Sequence, residues 1–268
     1  MNIGDFLQAA TAELKKAGVE SARLDCLILL EDTLELNRAA ILAHPETKLG
    51  TTQIDILNKK IVQRTKHTPL AYIRGKAPFY GRKFFVDDHV LVPRPETETM
   101  IELLKEYSYK TRLKRIVDVG TGSGCIGITA ALETGANVGL YDIDSQALDV
   151  ARRNAETFGV VIQSGLSDLL DNVPPDSYDA ILANLPYVPE NYPINEAAGH
   201  EPRLAIFAGK DGLELYRRLW SQVIRSPSKP PLVLTESLLL QHSKMVELAR
   251  DAGYELSRSK GLIQQFER

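Results

Sequence analysis

Apolar side chains over residues 1–70 recur at three- and four-residue steps: Phe6, Ala10, Leu14 and Ala17, then Leu27, Leu30 and Leu34, then Ile54, Leu57 and Ile61. Such steps put one apolar stripe on a helix and carry no strand-like alternation. His44-Pro45-Glu46 breaks the pattern between the last two runs. Thr52 with Asp55 three residues on resembles a helix-start capping arrangement. The stretch reads as a bundle of roughly three to five helices, too short for much core of its own. A docking or helper role suits it better than a catalytic one.

From Tyr72 to Pro95 the texture changes. Phe79-Tyr80-Gly81-Arg82-Lys83-Phe84-Phe85-Val86 sets aromatic and β-branched residues on both sides of a glycine-containing turn, the pattern of a hairpin. The two prolines of Val92-Pro93-Arg94-Pro95-Glu96-Thr97-Glu98 exclude regular structure, and a helix with an acidic first turn follows. Residues 71–92 thus read as a hairpin linker between a helical domain, 1–70, and a second domain, 93–268. Beyond Arg115, apolar and amphipathic runs alternate. Strands are predicted at 116–119, 137–141, 160–163, 178–183 and 232–235, and helices at 125–133, 146–158, 212–225 and 243–252. Closing strands at 254–258 and 263–267 look like a hairpin that adds antiparallel pairing at one end. The alternation predicts an α/β fold, a mostly parallel sheet with helices on both faces.

Composition narrows the classes. With 32 basic and 35 acidic side chains the net charge is −3, so nucleic acid meets no general attraction and would need a local patch such as Arg112, Lys114 and Arg115. Cys26 and Cys125 lie far apart without ligand-like spacing, which argues against a disulfide framework or a zinc site, and no metal is expected. No run approaches the ~18 apolar residues that span a bilayer. Met1-Asn2-Ile3-Gly4-Asp5 lacks the basic start and apolar run of a secretion signal, so a cytoplasmic location is expected, with no membrane partner.

In an open parallel sheet the ligand crevice lies beyond the carboxyl ends of the strands. Asp118-Val119-Gly120-Thr121-Gly122-Ser123-Gly124 emerges there, where glycines allow a sharp turn and close approach, and the next helix offers unpaired N–H groups. Gly122, Gly124 and Gly127 also satisfy the G-x-G-x-x-G spacing of dinucleotide enzymes. Asp142 ends the second strand where an acidic side chain accepts from ribose hydroxyls, and Asp144 suits the start of the following helix. Together they indicate an adenosine-containing ligand without saying which.

Asn184-Leu185-Pro186-Tyr187 directly follows the fourth strand. It resembles the [N/D]-P-P-[Y/F] signature of S-adenosyl-L-methionine-dependent methyltransferases acting on planar NH2 groups. Pro69-Leu70-Ala71-Tyr72-Ile73-Arg74-Gly75, residues 92–98, and Glu201-Pro202-Arg203-Leu204-Ala205 are similar to the peptide-chain release factor glutamine methyltransferases, also called the HemK or PrmC family. The resemblance spans essentially the whole chain. It implies a Rossmann-like class I methyltransferase domain behind a small helical substrate-recognition domain. It also implies methyl transfer from S-adenosyl-L-methionine to the side-chain amide of the Gln in a release factor's Gly-Gly-Gln loop.

On this resemblance Gly120, Thr121, Gly122, Ser123, Gly124, Asp142 and Asn184 hold the cofactor, while Asn184, Leu185, Pro186 and Tyr187 hold the amide, with Asn184 and Tyr187 catalytic. Leu185 stands where the family usually has Pro, and its expected contribution is a carbonyl that either residue supplies. Gln163-Ser164-Gly165-Leu166 lacks the acidic and aromatic residues that relatives often place beside the adenine, leaving backbone groups or Asp168 for that task. Glu201 and Arg94 fit site-shaping and surface roles equally. Asn-Leu-Pro-Tyr is also reminiscent of ribosomal RNA adenine dimethyltransferases, so adenine N6 methylation of RNA or DNA is the alternative. A nicotinamide-dependent dehydrogenase and a non-catalytic binding module are weaker readings. Direct nucleic-acid binding is not expected.

Overall fold

The N-terminal apolar steps fold as helices in the computed structural model, which describes every residue except 175–177 and 228. The chain divides into two units, Met1–Gly75 with Asn195–His200, and Lys76–Ile194 with Glu201–Arg268. The first holds α1 (Ile3–Lys16), α2 (Ala22–Leu34), α3 (Arg38–Ala43), α4 (Thr51–Thr65) and α5 (Leu70–Arg74). Its helices do build a core of their own, contrary to the expectation from length. Both α1 and α4 pack on α2, which brings Phe6, Leu14, Leu27, Leu30, Leu57 and Ile61 into one buried cluster. Arg64 pairs with the buried Asp25 at 2.7 Å and Arg74 with Asp32 at 2.6 Å. The cap of α4 lies upstream of the predicted Thr52: the Gly50 N–H donates to Gln53 Oε1 at 2.9 Å, so Thr51 and Thr52 are already helical.

The second unit opens with β1 (Ala77–Phe79) and β2 (Arg82–Phe84), an antiparallel hairpin. Phe79 and Phe84 meet edge to face and sink into the same core as α6 (Glu98–Ser108), so the hairpin is part of this unit rather than a free linker. Strands and helices then alternate: β3 (Arg115–Val119), α7 (Cys125–Thr134), β4 (Asn137–Asp142), α8 (Ser145–Phe158), β5 (Ile162–Leu166) and β6 (Ala180–Ala183). After these come α9 (Glu214–Arg225), β7 (Leu232–Glu236), α10 (His242–Asp251), β8 (Glu255–Lys260) and β9 (Ile263–Glu267). The strand order is β5-β4-β3-β6-β7-β9-β8, parallel except for β9, which runs antiparallel to β7 and β8.

Alternation on β3 feeds both faces. Ile116 joins Leu182 and Leu234 under α6 and α7, while Val117 and Val119 join Ile181, Val233 and the α9 residue Trp220. Because β4 and β5 continue to one side of β3 and β6 and β7 to the other, the carboxyl ends of β3, β4 and β6 open a crevice where the order reverses. Three strand ends differ from the sequence expectation. The Asp142–Leu166 pairing carries β5 on to Leu166, β7 runs on to Glu236, and a bulge between Leu256 and Arg258 shifts β8 toward Lys260. No described helix is long and apolar enough to cross a membrane.

Candidate active site

The glycine loop is built from its own backbone and from acidic side chains. Gly120 and Thr121 N–H donate to the Tyr141 carbonyl at 2.8 and 3.1 Å, folding the loop over the end of β4. Gly120 has φ +69°, and a Cβ there would come 2.9 Å from Leu185 Cδ2, so only glycine allows both the turn and the seating of Leu185. Asp118 Oδ2 accepts from Thr121 Oγ1 at 2.6 Å and from the Gly127 N–H at 2.9 Å, while its Oδ1 is buried without a partner among the described residues. Burial pushes the Asp118 carboxyl up to about 6, against the opposing pull of those two donors. Asp142 Oδ2 accepts from the Gly122 N–H at 2.8 Å and Oδ1 from the Asp144 N–H at 3.0 Å, and burial raises this carboxyl as well. Asp144 caps α8 by accepting from the Gln146 N–H at 2.8 Å.

The second wall is the turn after β6. Asn184 Nδ2 donates to Thr97 Oγ1 at 3.2 Å, and among the described residues no donor reaches Asn184 Oδ1 or the Leu185 carbonyl. The Leu185 N–H donates to the Tyr216 hydroxyl at 3.2 Å, a bond that proline cannot make. The expectation that only the carbonyl of Leu185 matters is therefore corrected. Tyr216 is fully buried and ties this turn to the ends of β6 and β7, its single hydroxyl hydrogen lying within reach of both the Ala183 and Glu236 carbonyls. The Tyr187 hydroxyl donates to Glu236 Oε1 at 3.0 Å, and its carbonyl accepts from Gln241 Nε2 at 2.8 Å. Burial first, and the Glu236 carboxylate second, raise the Tyr187 phenol far above its ordinary range, so it stays protonated.

Gly120, Thr121, Gly122, Ser123, Asp142, Asn184, Leu185 and Pro186 line one cleft, with Ile143 and Leu169 adding apolar surface. Gly124 and Tyr187 do not line it. Gly124, at φ +77°, instead lets α8 approach, since a Cβ would lie 3.1 Å from the Ala151 Cβ. The side chains of Thr121 and Ser123 are almost wholly buried, so these residues serve the loop's own fold as much as its rim. Asp168 is held by Arg218 at 2.5 Å, and Leu166 is more than half exposed. Glu201 is buried, accepting from Arg94 at 2.5 Å and from the Val92 N–H at 3.0 Å, so it braces the proline segment against the cleft. Sequence reasoning missed Asn154, whose side-chain amide binds both the Ser123 and Phe85 carbonyls, and it missed Tyr216, Glu236 and Gln241. Only Glu236 left a signal: a carboxyl at the end of a central strand, as Asp142 is.

Two family profiles match the chain, the PrmC N-terminal domain over residues 5–75 and the Methyltransferase small domain over residues 95–200. A release factor glutamine methyltransferase from Koribacter versatilis is 35% identical over 228 residues, covering 83% of this chain and 81% of that one. Its counterpart from Bacillus subtilis is 34% identical over 249 residues, covering 89% and 83%. A bifunctional methyltransferase from Rickettsia bellii is 28% identical along 100% of this chain, which spans only 54% of that protein. Among solved structures, a methyltransferase from Pyrococcus furiosus superposes with a TM-score of 0.52 at 16% identity, covering 82% of this chain and 98% of that one. The hMettl16 catalytic domain gives 0.55 at 17%, covering 79% and 80%. At such identities the likeness shows the fold alone.

Proposed function

Because the chain belongs to the release factor glutamine methyltransferase family, we propose that it methylates the side-chain amide nitrogen of the Gln in a release factor's Gly-Gly-Gln loop, using S-adenosyl-L-methionine. One observation carries the assignment of the acceptor site. Asn184 has its amide nitrogen tied to Thr97 and its oxygen unengaged in the cleft that also holds Asp142 and the glycine loop.

The cleft fits the cofactor by the chemistry of its walls. A carboxylate at the end of β4 suits ribose hydroxyls, Ile143 and Leu169 offer apolar surface to a flat base, and the positive-φ turn at Gly120 presents the loop backbone to the same cleft. When bound, S-adenosyl-L-methionine supplies an electrophilic methyl group carried on a sulfonium, so the chemistry of transfer comes from the cofactor. The protein's part is direction and charge. An amide nitrogen is a poor nucleophile because its lone pair is delocalised into the carbonyl. Asn184 Oδ1 and the Leu185 carbonyl, both without donors among the described residues, accept the two amide hydrogens, fix the nitrogen's direction and favour positive charge developing there. Pro186 lines the same cleft and stiffens the turn.

The helical unit at Met1–Gly75 contains neither the glycine loop nor the Asn184 turn, and we assign it to recognition of the protein substrate. A protein amide, rather than a base, is the acceptor, consistent with a net charge of −3 that gives nucleic acid no general attraction. Mass spectrometry of purified release factor, incubated with the protein and methyl-labelled cofactor, tests the reading. Label on the Gly-Gly-Gln glutamine is the expected result, and label confined to adenine of added ribosomal RNA would overturn it.

A further inference from the structure

Asn154 stands on α8, one turn beyond Ala151, and its side chain is almost wholly buried. Its amide is fully engaged. Oδ1 accepts from the Phe85 N–H at 2.7 Å, and Nδ2 donates to the Phe85 carbonyl at 2.9 Å and to the Ser123 carbonyl at 2.8 Å. The first two bonds satisfy both backbone groups of Phe85, the residue just past β2. The third holds the peptide between Ser123 and Gly124, where the glycine loop turns at φ +77°. Finishing the hairpin would explain the first two bonds and not the third. Beyond Phe85 the chain runs on into the cleft, where His89, Val90 and Leu91 line the same walls as the glycine loop and Asp142. The His89 N–H donates to Asp87 Oδ1 at 3.1 Å, and His89 Nε2 lies 3.1 Å from Gln146 Nε2 in the first turn of α8. Asp144 caps that turn and donates its own N–H to Asp142, so His89 stands at the Asp142 end of the cleft.

We propose that Asn154 is a positioning residue for cofactor binding, fastening the stretch from Phe85 to Leu91 to the glycine loop so that both meet S-adenosyl-L-methionine as one wall. The inference rests on the cofactor assignment within the functional reading above. Its logic is the donor count. A primary amide has two hydrogens, and here one goes to each of two segments far apart in the chain. Neither segment can shift without losing a buried bond. Alanine at 154 keeps none of the three bonds, so the stretch and the loop are free to move apart. The group that this wall brings to the ligand is the His89 imidazole, which supplies a ring nitrogen beyond the one at Gln146 to a ribose hydroxyl beside Asp142.

Calorimetry of S-adenosyl-L-methionine binding to the full-length protein and to Asn154→Ala, His89→Ala and the double variant tests this, with methylation kinetics alongside. Kd is expected to rise tenfold or more in Asn154→Ala and threefold or more in His89→Ala, with KM for release factor within twofold of wild type. Because alanine at 154 already frees the stretch, adding His89→Ala to it is expected to cost less than twofold. A merely structural role has a different signature: fewer binding sites per molecule and a lower melting temperature, with the Kd of the folded molecules unchanged. That signature in Asn154→Ala, or losses that multiply in the double variant, overturn the proposal. Should Asn154→Ala not fold, His89→Ala decides, because an unchanged Kd there removes the wall from the ligand. Wild type that binds no S-adenosyl-L-methionine overturns the functional reading and this proposal together. Wild type that binds it, with variants of equal affinity, overturns the proposal alone. Wild type that binds it but leaves the glutamine unmethylated overturns the acceptor assignment alone, since the Kd comparison needs no acceptor.

Discussion

Asn184 and Leu185 are neighbours in the chain with separable duties. Replacing Asn184 by Ala removes an acceptor aimed at the cleft, and methyl transfer to release factor is expected to fall by at least ~100-fold, the scale for losing one preorganised polar group at a transition state. Cofactor affinity, measured by calorimetry, is expected to change far less, because Asp142 and the loop at Gly120 remain. Undiminished transfer in that variant would refute the acceptor role. Replacing Leu185 by Pro has the opposite signature. The carbonyl survives, but the bond to Tyr216 and a nearly fully buried leucyl side chain are lost. We expect a fall of about 2–4 kcal/mol in urea unfolding, with transfer reduced far less than by Asn184→Ala. An unchanged unfolding midpoint would mean that the Tyr216 bond carries no weight. Asn184 and Asp142 were legible in the sequence because one follows and the other ends an apolar strand, where a polar side chain needs a reason. Tyr216 and Gln241 were not. They reach the turn from elements far along the chain, through side-chain bonds to carbonyls and to the Leu185 N–H that no local pattern encodes.

At the scale of elements, β3 and the loop it feeds carry a stability cost that pH can expose. The Asp118 carboxyl, fully buried under α7, has its affinity for a proton raised from 3.8 to about 6. A carboxyl raised on folding contributes stability that is fully present below pH 3.8 and lost as pH rises through about 6. Relative to an Asp118→Asn variant, which has no such titration, wild type is expected to lose on the order of 3 kcal/mol of unfolding free energy between pH 4 and pH 7. Denaturant melts of both proteins across that range measure it, and parallel profiles would show that the buried site does not discriminate between the two protonation states. Strand ends were the least legible elements. The strands predicted from the sequence stop at 163 in β5 and at 235 in β7, yet ladder bonds to β4 and β9 hold both strands in extended form further on. That extra residue in β7 is Glu236, which is why the carboxyl was overlooked.

On the scale of the whole molecule, the order of a helical region, a hairpin and an alternating α/β region was readable because each has its own hydrophobic period. Whether the helices had a core was not readable. Their buried cluster depends on α2 meeting α1 and α4 together, which spacing along one helix does not reveal. Protein beginning at Lys76 is expected, if it folds, to bind cofactor as the full chain does while methylating intact release factor at least tenfold more slowly. Full activity on intact release factor would remove the recognition role from the helices. The reversal of strand order at β3 has a kinetic consequence. Val119 and Ala183 are partners across β3 and β6 although two strands, two helices and their loops lie between them in the chain. The glycine loop and Asn184 therefore share a cleft only after a long loop has closed, an entropic cost met before the contacts that reward it. Ligand affinity in refolding is bound to appear with the last cooperative step, not with the first helices. A ligand that recognises only this closed form holds the unfolding reaction back by mass action, about 2.7 kcal/mol at a hundredfold excess over its dissociation constant.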